Sequence, residues 1–92
     1  MNLIELRHIE KISKLLYLHN ISYYIDFGLT RNTFFFNINK YQLEILLRKS
    51  KYISEKFSKY VITRIGFVKV EFKRIDSLMN YLNIEFSNLK KQ

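Results

Sequence analysis

The sequence predicts one α+β domain with the order αββαββα, in which helices pack on a mostly antiparallel four-stranded sheet. Three observations predict it. At 92 residues the chain is short for a second independent core. With 48% hydrophobic and 16% aromatic residues it still has enough apolar surface to bury one. Along the chain the hydrophobic period switches between helical and strand-like spacing, and the switches divide residues 1–92 into an N-terminal helix (1–20), a ββα unit (22–58) and a second ββα unit (60–89).

Over residues 3–19, Leu6, Ile9, Ile12, Leu16 and His19 fall on one broad helical face, with Arg7, Glu10, Lys11 and Lys14 opposite. Glu10 and Lys14 have the spacing of a favourable i,i+4 pair. The pattern stops at Asn20, a residue that tolerates helix C-terminal geometry. Residues 22–27 and 33–39 then alternate around Gly28-Leu29-Thr30-Arg31-Asn32, which reads as a hairpin. Tyr23, Ile25 and Phe27 share one face, as do Phe34, Phe36 and Ile38, while Tyr24 and Phe35 point the other way.

From Lys40 to Lys59 the period returns to 3.6, with Leu43, Leu46, Leu47, Ser50, Ile53 and Phe57 as one stripe of a central helix. The other side of that helix carries Arg48, Lys49, Tyr52, Lys56 and Lys59. Residues 60–65 and 67–73 form a second hairpin turning at Gly66. Asp76 is placed as the N-cap of the last helix, whose apolar side is Leu78, Leu82, Phe86 and Leu89. Phe36-Asn37-Ile38-Asn39-Lys40 before Leu43 and Leu47 parallels Val70-Glu71-Phe72-Lys73-Arg74 before Leu78 and Leu82. Matching them takes a one-residue insertion, so an internal duplication and the ordinary pattern of a strand entering a helix both account for it.

Without cysteine the chain has no disulfide, thiolate metal site or thiol nucleophile, which fits a cytoplasmic setting. Charges interrupt Met1-Asn2-Leu3-Ile4-Glu5-Leu6-Arg7, unlike a signal peptide, and no segment approaches the roughly 18 uninterrupted apolar residues of a membrane span. The formal net charge of +8 points to an anionic partner. The chain also lacks Ala, Pro and Trp and is rich in Ile, Lys, Asn, Tyr and Phe, a composition that AT-biased codons produce, so the distribution of charge carries more weight than its total. Residues 1–39 hold four basic and three acidic groups, residues 40–74 ten and three, and residues 75–92 two and two. The charge is therefore local.

Catalytic and metal chemistry find little purchase. His8 and His19 are eleven residues apart, about 16 Å along a helix, too far to share an ion. His8 reads as exposed and His19 as a packing or cap residue. Glu71-Phe72-Lys73, with Asp26 far upstream, is the one hint of a divalent-metal site, and a solvated cross-strand ion pair explains it better. Gly28 and Gly66 are the only glycines, so there is no phosphate-cradling loop, and no serine has a recognisable His and acid partner. The expectation is a protein without enzymatic activity, cofactor or metal.

What remains is a basic surface within residues 40–74: Arg48, Lys49, Tyr52, Lys56 and Lys59, then Arg64, Lys69, Lys73 and Arg74 on or beside the second hairpin. Cations in that pattern neutralise phosphates, and Tyr52, Tyr24, Phe35 and Phe67 supply faces on which unpaired bases stack. The expected function is binding of nucleic acid or a nucleoprotein complex. The alternative is a phage or mobile-element inhibitor or adaptor that meets an acidic host protein with the same cations and aromatics. A second copy of the chain on an aromatic sheet face, giving a homodimer, is a further expectation. The element order matches neither a double-stranded-RNA-binding domain, with three strands between two helices, nor the βαββαβ order of RNA-recognition motifs.

Overall fold

The computed structural model describes residues 2–64 and 68–91. Helix α1 (Leu3–Leu18) starts where the Asn2 side chain accepts from the Glu5 N–H. It ends in a Schellman motif: Asn20 takes a left-handed φ of 57°, its N–H donates to Tyr17 C=O, and Ile21 N–H donates to Leu16 C=O. Ile21 and Leu16, the hydrophobic pair of that motif, are both buried. The chain thereby leaves α1 directly into the sheet.

Strands β1 (Tyr23–Phe27), β2 (Arg31–Ile38), β3 (Tyr41–Arg48), β4 (Tyr60–Arg64) and β5 (Val68–Phe72) follow, and α2 (Ile75–Lys90) closes the chain. The sheet has five strands rather than four, antiparallel throughout, in the order β1-β2-β3-β4-β5. At the β1–β2 turn a Cβ on Gly28 would lie 2.7 Å from the Arg31 carbonyl oxygen, so only glycine closes it. Between β2 and β3 the connection is two residues long, with Asn39 at φ 55°. Gly66 and Phe67, assigned to the turn and start of the last hairpin, lie outside the described residues.

The central helix expected over residues 40–59 is not there. Residues 41–48 form β3, hydrogen-bonded on both sides, and residues 49–59 are a loop with one 3-10 turn, Ser50–Tyr52. The element order is αβββββα and the first ββα unit dissolves, taking the possible duplication with it. Leu43, Ile45 and Leu47 face the helices and are buried, Leu46 points to the other side, and Ile53 and Phe57 of the expected stripe are exposed. A strand flanked on both edges and half-covered on its second face loses polar alternation, and Leu-rich strands of this kind mimic helical spacing.

Register fixes the two faces. Phe34, Phe36 and Ile38 of β2 lie level with Ile45, Leu43 and Tyr41 of β3, and Ile45 with Ile62 of β4. Both helices cover this face: His8 of α1 meets Tyr60, and in α2 Phe86 packs edge-on to Phe36 with centroids 5.6 Å apart, while Tyr81 meets Phe72. The core is Ile9, Ile12, Leu15 and Leu16 of α1, the inward residues of β2–β4, and Leu78, Leu82, Phe86 and Leu89 of α2. Leu6, expected on the buried face of α1, is 45% exposed and Leu15 takes its place. The N-cap of α2 is Arg74, with no side-chain cap, so Asp76 sits in the first turn, where its charge favours the helix dipole.

Among the described residues no helix lies on the opposite face. Across it run Tyr24 and Asp26, then Arg31, Thr33, Phe35 and Asn37, then Gln42, Glu44, Leu46 and Arg48, then Val61 and Thr63, then Lys69 and Glu71.

Candidate nucleic-acid interface

Antiparallel connectivity decides where the basic residues go. The β1–β2 turn, the β3–β4 loop and the β5–α2 junction all fall at one end of the sheet, and the β2–β3 turn at the other. Arg48, Lys49, Tyr52, Lys56 and Lys59 lie in or beside the β3–β4 loop, and Lys73 and Arg74 lie at the β5–α2 junction, so this end collects them. Lys51 and Arg31 join them from the same loop and the start of β2, two cations that sequence reasoning left out. Residues 48–59 contain Arg48, Lys49, Lys51, Lys56 and Lys59 against Glu55 alone.

The loop is held in shape by its own backbone. Arg48 N–H donates to Lys59 C=O across its neck, Lys49 N–H to Thr30 C=O in the β1–β2 turn, Tyr52 N–H to Lys49 C=O and Phe57 N–H to Ser54 C=O. The Arg48 guanidinium donates to the Ser58 carbonyl and lies 5.0 Å from the Phe57 ring centroid. Arg48 is therefore a clamp that organises the loop, and its charge is partly committed there. Ser50, Lys51, Tyr52, Lys56 and Phe57 are exposed, with the Lys51 ammonium 5.5 Å from the Tyr52 ring centroid. Exposed lysines and exposed aromatics thus adjoin one another, Lys51 with Tyr52 and Lys56 with Phe57, on a backbone held by these bonds.

Two of the expected residues go elsewhere. Arg64 points to the helix-covered face, ion-pairs with Glu85 of α2 and stacks its guanidinium 5.0 Å from the Tyr41 ring centroid. It is an anchor for α2, because its place on β4 shares the parity of Tyr60 and Ile62. Lys69 is on the helix-free face but toward the other end, level with Thr63, and lies 4.0 Å from Glu71. That exposed pair lies within β5, between residues two apart, and not across strands as expected. Asp26 shares Glu71's row at the far side of the sheet, four strand spacings and roughly 19 Å away. Among the described residues no three His, Asp or Glu side chains gather as metal ligands do.

The helix-free face itself is balanced in charge, with Arg31, Arg48 and Lys69 set against Asp26, Glu44 and Glu71. Its distinguishing feature is aromatic. Tyr24 and Phe35 are cross-strand partners stacked with centroids 5.0 Å apart and an interplanar angle of 18°, and Tyr24 is 65% exposed. They border an open depression of about 520 Å3 that continues over Asn37, Gln42 and Glu44. Phe35 is four residues along β2 from Arg31, about 13 Å from the basic end. Phe67, the remaining stacking candidate, lies outside the described residues.

Beneath the basic end, Tyr60 Oη and His8 Nδ1 are hydrogen-bonded at 2.6 Å. His8 is thus half-buried rather than exposed. Burial, then the Lys59 and Lys11 charges, hold its pKa below the ordinary imidazole value, and burial pushes the Tyr60 phenol up to about 12. His19 is the C-cap of α1 and packs edge-on to Phe86 at 5.3 Å. Among the described residues no helix is long and apolar enough to cross a bilayer. Comparison with known proteins finds no matching family, curated protein or solved structure. The fold and this surface are thus the basis for assigning function.

Proposed function

We propose that the chain is a non-enzymatic module that binds nucleic acid, gripping the backbone of an unpaired strand with the β3–β4 loop and the β5–α2 junction. The observation that carries the reading is the gathering of Lys49, Lys51, Lys56, Lys59, Lys73 and Arg74 at one end of the sheet around the exposed Tyr52. Bases leaving that end run onto the helix-free face, where the Tyr24–Phe35 pair offers a second stacking platform.

Fluorescence anisotropy with labelled single-stranded 12-mers at 50 and 200 mM salt tests this. Each neutralised phosphate contributes about 0.7 to the log–log salt slope for a single strand, so four contacts predict a loss of roughly 50-fold over that range. Replacing Lys49, Lys51, Lys56 and Lys73 by Glu removes binding and the slope together while the circular dichroism spectrum stays unchanged. Arg48 is left intact in that variant because its clamp on Ser58 and Phe57 shapes the loop. Oligonucleotide binding that survives the reversal sinks the proposal.

Tyr52, Ile53 and Phe57, respectively 39%, 37% and 49% exposed on the same loop, support a second reading. In it they anchor an acidic host protein and the lysines steer the encounter. A stoichiometric protein complex that persists through nuclease treatment, with no affinity for oligonucleotides, selects that reading instead.

A further inference from the structure

Among the described residues strand β1 is an outer strand of the sheet, hydrogen-bonded to β2 alone. Gly28 N–H donates to Arg31 C=O at 2.9 Å, which sets the phase of the ladder. Counting back by alternation, Asp26 and Tyr24 exchange bonds with β2, and the N–H and C=O groups of Tyr23, Ile25 and Phe27 face outward. Soluble proteins guard such edges with lysines, prolines or bulges. The opposite edge, β5, carries Lys69 and Glu71, whereas β1 reads Tyr-Tyr-Ile-Asp-Phe. From Asn20 to Thr30 the chain has no Lys or Arg at all, although its net charge is +8.

We propose that β1 pairs antiparallel with β1 of a second copy, about a two-fold axis at Ile25, joining two sheets into one. The strand is self-complementary in that register. Ile25 meets Ile25 of the second copy as a hydrogen-bonded pair, and Tyr23 meets Phe27 in the same way, so every outward N–H and C=O of the strand finds a partner. Tyr23 and Phe27, 38% and 60% exposed in the single chain, become cross-strand aromatic neighbours. Asp26, the strand's one charge, lies opposite Tyr24 rather than another carboxylate.

The self-complementary register favours a second copy as the occupant, and electrostatics permits it. Two chains of charge +8 repel wherever their cations approach, and β1 is the edge from which cations are missing. Antiparallel pairing also sets the basic end of each copy beside the other end of its neighbour, which keeps the two β3–β4 loops apart. Both helix layers fall on the same side, because paired residues share a face. The helix-free faces become continuous across the junction.

The experiment is sedimentation velocity and light scattering of nuclease-treated protein at about 100 µM, since a five-residue edge gives a small, transient-class interface. No oligonucleotide is present, so the outcome is separate from the nucleic-acid reading. The expected mass is 2 × 11.3 = 22.6 kDa. Ile25→Pro removes one outward donor per copy and no bond to β2, and weakens association about tenfold or more. Phe27→Lys, at an exposed position, guards the edge and gives a monomer with an unchanged melting curve; it decides the matter where Ile25→Pro fails to fold. In this cysteine-free chain the Tyr24→Cys/Asp26→Cys variant places thiols face to face across the junction and oxidises to a covalent dimer. A wild-type monomer at 100 µM, or a dimer indifferent to Phe27→Lys, overturns the proposal.

Discussion

Replacing Arg64 by Met separates a structural cation from a binding one. Arg64 lies on β4 with its side chain under α2, where it ion-pairs with Glu85 and stacks on Tyr41. The side chains of the pair are 25% and 17% exposed, so the interaction lies between a surface bridge, worth about 0–1 kcal/mol, and a buried one whose breakage costs about 3–5 kcal/mol. The cation–π contact adds about 0.5–1 kcal/mol. Against these stands the buried Nε, which has no hydrogen-bond partner and whose removal relieves about 1 kcal/mol or more. Met keeps the aliphatic stem, so the expected net loss is about 1–2 kcal/mol. For a domain of this size each 1 kcal/mol moves the melting temperature by about 4–8 °C, which gives a drop of roughly 4–16 °C by differential scanning calorimetry. A second substitution, Glu85→Leu, removes the carboxylate left without its partner and restores most of the loss, which a double-mutant cycle reads as coupling. Oligonucleotide affinity stays within about twofold of wild type throughout, because RT ln 2 is about 0.4 kcal/mol and no phosphate contact is lost. Weaker binding by folded Arg64→Met, or an unchanged melting temperature, would refute the assignment of Arg64 to the α2 anchor.

Three further outcomes follow from the packed face. His8 has its folded pKa below the ordinary value of 6.5, so its contribution to stability is complete above pH 6.5 and disappears as pH falls through the folded value; wild type loses melting temperature on acidification faster than His8→Gln does. Tyr60 works in the opposite direction, since a phenol raised from 10 to about 12 stabilises the fold fully below pH 10 and loses that contribution as pH rises toward 12, a decline that Tyr60→Phe lacks in pH-dependent melts. Phe86→Ala empties a fully buried site between Phe36 and His19 and costs about 3–5 kcal/mol in urea unfolding, a large part of the stability of a small domain.

Most of the fold was legible where period and punctuation agreed. Asn20 marked the end of α1 because an αL residue was needed there, and Tyr23, Ile25 and Phe27 separated from Tyr24 by strict alternation. Residues 41–48 were illegible for a physical reason. Leu, Gln, Glu and Arg are good helix formers, and Ile45-Leu46-Leu47 hides the alternation because both faces of a central strand are at least partly covered. The missed signal was Asn39, which takes positive φ at low cost and so permits a two-residue turn immediately before β3. His8 was misplaced because its partner, Tyr60, is 52 residues away, a contact that no local pattern encodes. Arg64 was misplaced by parity alone: on β4 one residue decides whether a side chain meets the helices or the open face.

The basic cluster nonetheless outlived the wrong element beneath it, and the reason lies in the topology. In an antiparallel meander every second connection falls at the same end, so charge concentrated in connections two apart converges whatever the strands themselves contain. Lys49, Lys51, Lys56 and Lys59 occupy the β3–β4 loop, Lys73 and Arg74 the junction after β5, and Arg31 follows the β1–β2 turn. Had residues 40–59 been a helix, Lys49, Lys56 and Lys59 would have formed a stripe along its length. As built, they lie in and beside a loop whose shape Arg48 holds, and the Tyr24–Phe35 pair sits side by side across β1 and β2, four residues along β2 from Arg31. In the proposed complex a strand enters at the loop and leaves across β2 toward Tyr24 and Phe35. Alanine at Tyr24 and Phe35 should then shorten the occluded length of a bound oligonucleotide while the salt slope, set at the loop, stays the same.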